Sequence, residues 1–263
     1  MCLPSFASKI LLSTALLAVL SACAGNEVDK DFLVPDEPVD ALYTKGADAL
    51  DRGENKEAAH LFSEVDRQHP YSQWAVKAQL MEAYAYYSDM NYDDAIKALN
   101  QYIELHPGNG DIGYAYYLRA LSNYERISDV RRDQTSAREA LKGLKEVINR
   151  FPQTEYAKDA KLKVALINDH LAGAEMEIGR YYVKQHLYIA AVGRFKAVVD
   201  KYQTTSHVPE ALERMVECYA ALGLFAEAKK NAAVLGYNFP GSEWYNDAYK
   251  LLKAKGVTLE EKK

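Results

Sequence analysis

Apolar residues along most of the chain recur at the spacing of an amphipathic helix, and several of these segments end in the same way. In three places an aromatic residue or a leucine stands eight residues before a proline: Phe62 and Pro70, Leu99 and Pro107, and Leu144 and Pro152. Proline cannot continue a helix, so each proline predicts a helix end. With only 14 Gly and 8 Pro in 263 residues, the pattern predicts an all-α chain built from repeated helix pairs.

Small and large residues recur within these segments at fixed offsets. The pattern resembles the tetratricopeptide repeat (TPR), in which a small residue and an aromatic lie in the first helix, an alanine and an aromatic or leucine lie in the second, and a proline follows. Five segments match it: Gly46, Ala58, Phe62 and Pro70; Ala83, Tyr86, Ala95, Leu99 and Pro107; Ala120, Ala140, Leu144 and Pro152; Gly179, Tyr182, Ala191 and Phe195; and Val216, Tyr219, Ala228 and Pro240. The sequence therefore predicts a TPR superhelix of about five repeats over residues 41–255, divided into N-terminal repeats 41–152 and C-terminal repeats 153–255.

Two irregularities interrupt the array. A charged stretch at residues 127–136 predicts a loop inside the third repeat, and the helix that opens near Tyr156 runs long, through Leu171 towards Gln185. Residues 244–255 predict a capping helix, followed by a tail at residues 256–263.

The first residues have the pattern of a secretory signal. Lys9 precedes a short apolar run that ends Leu20-Ser21-Ala22-Cys23, the pattern of a lipoprotein signal cut before an acylated cysteine. The alternative is an ordinary signal peptide cut near Ala22 or Ala24. We expect a signal peptide at residues 1–22, with lipidation at Cys23 and a linker over residues 23–40. Ala24 takes the place of the Asp that retains lipoproteins in the inner membrane, which favours the outer membrane.

Charge and motif content argue against several function classes. The net charge of -5 gives no basic surface for nucleic acid. The six His are scattered without metal-ligand spacing, and no nucleophile, phosphate-loop or dinucleotide motif is present. We expect no enzyme activity, no catalytic residues, no metal and no cofactor. Cys218 is interpreted as a small buried hydrophobe.

Tyrosine is in excess, with 20 Tyr against 7 Phe. In a TPR array the first helix of each repeat lines the concave surface. The predicted groove tyrosines are Tyr43, Tyr84, Tyr87, Tyr114, Tyr117 and Tyr124. They suit a peptide-binding groove because a tyrosine ring offers contact area while its hydroxyl tolerates water. The alternative is interior packing, which is predicted for Tyr86 and Tyr116.

The corresponding positions of the C-terminal repeats are charged. Arg180, Glu210, Glu213 and Glu217 predict a polar surface that suits a folded partner.

Several stretches together resemble the BamD family, also called ComL, a lipoprotein subunit of the outer-membrane β-barrel assembly (Bam) machine. The stretches are residues 114–120 (YAYYLRA), Arg132-Asp133 before Ala137, residues 151–156 (FPQTEY) with Asp159-Ala160, Tyr181-Tyr182, and residues 190–194 (AAVGR). Gln134 departs from the Pro that is usual in the family, and Gly193 from the Asn of some members.

The resemblance implies a lipid-anchored scaffold on the periplasmic face of the outer membrane. Its C-terminal repeats would bind a POTRA domain of BamA, with Arg194 and Arg180 as contacts. Its N-terminal repeats would receive the C-terminal strand of unfolded outer-membrane proteins, and other Bam lipoproteins would be further partners. The alternative is a periplasmic TPR adaptor that coordinates envelope or peptidoglycan synthesis; such relatives carry an N-terminal coiled coil, and residues 24–40 contain no heptads.

Overall fold

A computed structural model describes residues 36–257, and eleven α-helices follow one another in this part of the chain. They are α1 Val39–Asp51, α2 Asn55–Gln68, α3 Gln73–Ser88, α4 Tyr92–Leu105, α5 Ile112–Tyr124, α6 Thr135–Arg150, α7 Glu155–Lys184, α8 Tyr188–Lys201, α9 Val208–Ala221, α10 Phe225–Asn238 and α11 Glu243–Ala254. The predicted signal peptide, Cys23, most of the predicted linker and the end of the tail lie outside the described residues.

The helices stack as successive pairs. Each helix packs against its neighbour in the chain, and further contacts join α1 with α3, α3 with α5, α5 with α7, and α9 with α11. The first helices of the pairs from α1 to α7 therefore form one continuous wall, and α11 closes the C-terminal end. The predicted all-α TPR fold is confirmed, and so are the long helix α7 and the capping helix α11.

Close packing within the pairs explains the small residues of the repeat. A Cβ added to Gly46 would lie 2.9 Å from the ring of Phe62, and one added to Gly179 would lie 2.4 Å from the ring of Phe195. Both phenylalanines are fully buried. In these two pairs the helices approach this closely because the glycine has no side chain.

Helix ends follow the residue types at the boundaries. The side chains of Ser72, Thr154 and Ser242 accept hydrogen bonds from the first turns of α3, α7 and α11. Prolines follow the ends of most second helices, as predicted. However, α8 ends at Lys201 in the same way although Gln203 stands in the proline position, since the Tyr202 amide still closes the last turn on Val198.

The charged stretch inside the third repeat forms a folded loop between α5 and α6. Gln134 is buried there, and its amide nitrogen donates to the carbonyls of Asp129 (3.2 Å) and Arg132 (2.9 Å). The glutamine thus ties the loop together from the inside.

Two further findings bear on function. None of the helices in residues 36–257 is long and apolar enough to cross a membrane. Cys218 is fully buried as predicted, and burial raises the pKa of its thiol to about 12. The thiolate, which is the reactive form, is therefore disfavoured.

Candidate partner-binding surface

The six predicted groove tyrosines all lie on α1, α3 and α5, the first helices of the N-terminal repeats, and all are half-buried. Each ring therefore covers apolar surface while part of the side chain reaches solvent. This placement distinguishes them from fully buried core residues such as Tyr102.

Two of them pack against a further tyrosine, and two more lie close to these. Tyr156, in the first turn of α7, lies 5.5 Å from the Tyr114 ring centroid and 5.3 Å from that of Tyr117, with the Tyr117 ring stacked at 27°. Burial raises the pKa of Tyr114, and the neighbouring tyrosines Tyr84, Tyr156 and Tyr87 raise it further. We call Tyr84, Tyr87, Tyr114, Tyr117 and Tyr156 the tyrosine cluster. It spans α3, α5 and α7 and therefore three successive repeats.

Sequence reasoning missed Tyr156 as a site residue. Its signal was its place in the FPQTEY stretch, two residues after the Thr154 cap that precedes α7. A residue in the first turn of a long helix lies at the junction with the preceding repeat.

A hydrogen-bond network supports one edge of the cluster. The Tyr117 hydroxyl donates to the carboxylate of Asp159, which also lies 3.1 Å from the Lys163 ammonium. Lys163 Nζ in turn lies 5.3 Å from the centroid of Tyr124, a cation–π distance. Partial burial raises the pKa of Asp159, but the hydrogen bonds from Tyr117 and Lys163 outweigh it and leave the pKa lowered.

Tyr87 has contacts with residues outside the cluster. Its hydroxyl is 3.5 Å from Oε1 of Glu125, and its ring centroid is 5.7 Å from that of Tyr92. Burial, followed by the Glu125 charge, raises the pKa of Tyr87 to about 12, so the hydroxyl remains a neutral donor.

Tyr43 packs against aromatic residues of the first and second repeats. Its ring centroid lies 5.4 Å from Phe62 and 4.7 Å from Trp74, an exposed tryptophan that sequence reasoning did not single out. The predicted groove set therefore consists of the four clustered tyrosines, with Tyr43 and Tyr124 at its margins.

The two tyrosines predicted to pack internally differ. Tyr116 is buried, 5.5 Å from the Phe151 ring, with the guanidinium groups of Arg119 and Arg150 at 4.9 and 4.5 Å from its centroid. Tyr86 is only half-buried, beside Glu82. Internal packing is thus confirmed in full for Tyr116 and in part for Tyr86.

The charged residues of the C-terminal half form one network. Arg180 lies 2.9 Å from Glu210 and 2.7 Å from Glu177, and Arg214 lies 2.7 Å from Glu217 and 3.6 Å from Glu210. These contacts join α7 to α9. Of the four residues predicted to form a polar surface, Arg180, Glu210 and Glu217 are partly exposed and belong to this set of ion pairs.

Glu213 was predicted to lie on the polar surface, but it is buried, with 7% of its area exposed. Its Oε2 lies 3.6 Å from Nε of Arg214, and neither atom has a hydrogen-bond partner in the described structure. Burial raises the pKa of Glu213 to about 7.

Arg194 belongs to a different network from Arg180. It lies on α8 and pairs with Glu175 of α7 at 3.1 Å, with its side chain 42% exposed. The two predicted partner contacts are thus held by separate carboxylates.

No group of three or more His, Cys, Asp or Glu side chains within residues 36–257 is arranged to hold a metal ion.

Comparison with known proteins gives a consistent result. Residues 35–235 match the YfiO family, described as an outer membrane lipoprotein. A protein of Caulobacter vibrioides named outer membrane protein assembly factor BamD is 49% identical over 94% of this chain and 81% of its own length. Proteins of the same name from Rickettsia prowazekii and Neisseria meningitidis serogroup A are 46% and 35% identical over 92% of this chain, and over 96% and 95% of their own lengths.

Proposed function

The chain belongs to the YfiO family of outer membrane lipoproteins, and on this premise we propose that it is a non-enzymatic scaffold of the Bam complex. In this proposal Cys23 carries the lipid that anchors the protein to the periplasmic face of the outer membrane. The N-terminal repeats receive unfolded outer-membrane proteins, and the C-terminal repeats bind a POTRA domain of BamA beside the other Bam lipoproteins.

The tyrosine cluster is the observation that carries the substrate half of the proposal. Five half-buried rings lie together on the wall formed by the first helices. Such a surface binds the aromatic end of an extended chain through ring contacts, while its hydroxyls bond to backbone groups. Specificity is expected to be loose, since ring contacts tolerate many sequences.

Binding of a peptide tests this role. The probe is a fluorescent peptide with the C-terminal sequence of an outer-membrane barrel protein that ends in phenylalanine. We expect Tyr84→Ala combined with Tyr117→Ala to weaken its affinity by about tenfold or more, as is typical when central aromatic contacts are removed.

The matched control is Tyr71→Ala with Tyr237→Ala, the same two truncations at fully or largely exposed positions. Circular dichroism checks that each variant remains helical. If the cluster variant and the control bind the peptide with equal affinity, these tyrosines pack within the structure and do not bind substrate.

The proposed docking of BamA on the C-terminal repeats rests on the exposed charge of Arg194 on α8. Arg194 keeps part of its guanidinium in solvent although it pairs with Glu175. Arg180, held by Glu177 and Glu210, would contribute by fixing the network beside the partner.

Charge reversal tests the docking. Arg194→Glu is expected to reduce recovery of a BamA-type barrel when the protein is purified from detergent-solubilised membranes. Lys196→Glu is the control, because it makes the same charge change on an exposed residue of the same helix. Unchanged recovery of BamA with Arg194→Glu would remove Arg194 from the interface.

A further inference from the structure

The loop inside the third repeat and the second half of α7 form an open pocket, and Arg180 is the only residue of its lining that the proposed function uses. Its volume is about 730 Å³. Its apolar lining comes from Val130 of the loop and from Ala174, Ile178, Tyr181 and Tyr182 of α7. Ile178 is 37% exposed and Tyr181 is 58% exposed, so apolar groups face solvent here.

Gln134 also lines the pocket and fixes the shape of its loop side. Both hydrogen bonds of its side chain are donated by Nε2 to loop carbonyls, and only 9% of the residue is exposed. Its Oε1 is shielded from solvent, so the surface open to a partner is the apolar lining and the charged rim.

The rim of the pocket is cationic. Arg131, Arg132, Arg180 and Lys184 line it together with a single acid, Glu177. Glu177 already pairs with Arg180 at 2.7 Å and with Arg131 at 3.3 Å. Among residues 36–257, the side chains of Arg132 and Lys184 have no ion-pair partner. The rim therefore attracts negative charge on a chain whose net charge is -5.

We propose that this pocket is a docking site for an extended, acidic segment of a partner protein that carries at least one apolar side chain. Its acidic side chains pair with Arg131, Arg132 and Lys184, and its apolar side chain packs on Ile178 and Tyr181.

The combination of apolar lining and separated charges favours a peptide over a lipid headgroup. A peptide brings carboxylates to Arg131, Arg132 and Lys184 and an apolar side chain to Ile178 at the same time. The Glu177 carboxylate also disfavours a dense polyanion. The site lies apart from the tyrosine cluster and does not depend on that cluster binding substrate.

The test measures binding of two synthetic probes to the full mature protein in detergent. The first is a fluorescent peptide that alternates glutamate with leucine and phenylalanine, and the second is the same peptide with glutamine in place of glutamate. We expect the acidic peptide to bind and the glutamine peptide to bind at least about tenfold more weakly. Added salt should weaken the acidic peptide's binding, because the rim charges are exposed.

Variants locate the binding. Arg131→Glu with Arg132→Glu is expected to weaken binding of the acidic peptide by about tenfold or more. Lys253→Glu with Lys255→Glu, the same charge change at exposed positions near the end of α11, should leave it unchanged. Ile178→Asp keeps both arginines and should also weaken binding of the acidic peptide. Tyr84→Ala with Tyr117→Ala should leave binding of this peptide unchanged.

Three outcomes would overturn the proposal. One is an acidic peptide that fails to bind, and another is binding that the arginine reversal does not change. The third is protein that binds vesicles of an anionic phospholipid through Arg131 and Arg132 while the peptide does not bind, which would make the pocket a lipid site.

Discussion

The Tyr117 hydroxyl donates a hydrogen bond to the Asp159 carboxylate, and this bond joins α5 to α7 at the edge of the tyrosine cluster. Asp159 continues the link to Lys163, whose ammonium lies over the ring of Tyr124. The network fixes the ring of Tyr117 against Tyr156, which it stacks at 27°. Contacts within the chain thus hold the proposed binding surface in place.

Tyr117→Phe removes the hydroxyl and keeps the ring. We expect the free energy of unfolding to fall by about 0.5–1.5 kcal/mol, the usual contribution of one hydrogen bond, and by the lower part of that range because Asp159 is partly exposed. Denaturant titration followed by circular dichroism measures it, with Tyr237→Phe on an exposed tyrosine as the control.

The difference between parent and Tyr117→Phe should also depend on pH. The folded protein lowers the pKa of Asp159 below its ordinary value of 3.8, so the stability it contributes is fully present above that value. It is lost as the pH falls through the lower folded pKa. The two proteins should therefore become more alike in stability in acid. A difference that stays constant into acid would mean that the hydrogen bond does not stabilise the charged carboxylate.

Gly179→Ala tests the close approach of α7 and α8. The added Cβ would lie 2.4 Å from the Phe195 ring, which is fully buried and has little room to move. We expect a loss of about 1–3 kcal/mol, the typical cost of overpacking a core.

Gly193→Ala is the matched control on α8, because nothing lies within 4 Å of the added Cβ. Alanine is the better helix former, so this variant should gain about 0.5–1 kcal/mol. The midpoint of thermal unfolding should therefore fall for Gly179→Ala and rise for Gly193→Ala. If Gly179→Ala is as stable as the parent, α7 and α8 can move apart without loss of stability.

The fold could be predicted from the sequence because its determinants are local and repeated. Gly46 with Phe62 and Gly179 with Phe195 are the same contact in two repeats, and each lies within a single helix pair. The spacing of small and large residues therefore specifies the pair, and repetition specifies the stack.

The candidate site could be predicted only in part, since it depends on contacts between repeats. Periodicity assigned Tyr114 and Tyr117 to the first-helix wall, but it could not show that Tyr156 of α7 packs against both of them. The relative positions of stacked repeats follow from side-chain packing that no local pattern records. For the same reason the sequence could not show that Arg180 and Arg194, which were predicted together as partner contacts, belong to separate ion-pair networks.

Cys23→Ala tests the proposed anchor. Without a cysteine to acylate, the mature protein should shift from the membrane fraction to the soluble fraction, because each buried methylene of an acyl chain contributes about 0.8 kcal/mol to membrane binding. Fractionation and immunoblotting measure the shift, and Cys218→Ala is the control at a buried thiol. Membrane association that persists after a high-salt wash would mean that protein contacts suffice for retention.

Glu213→Gln tests the buried charge at the centre of the C-terminal network. The folded protein raises the pKa of Glu213 from 4.5 to about 7, because burial disfavours the charged form. Below the unfolded value both states are protonated and no penalty arises. As the pH rises from 4.5 to about 7 the unfolded state ionises first, so folding loses stability, and above about 7 the penalty is constant.

The substituted amide cannot ionise, so relative to the parent the variant should gain on the order of 1–3 kcal/mol between about pH 4 and about pH 8. Denaturant titrations at the two pH values measure this, with Glu139→Gln as the same change at an exposed position of α6. A difference between parent and variant that does not change with pH would show that Glu213 remains ionised in the folded protein, held by Arg214.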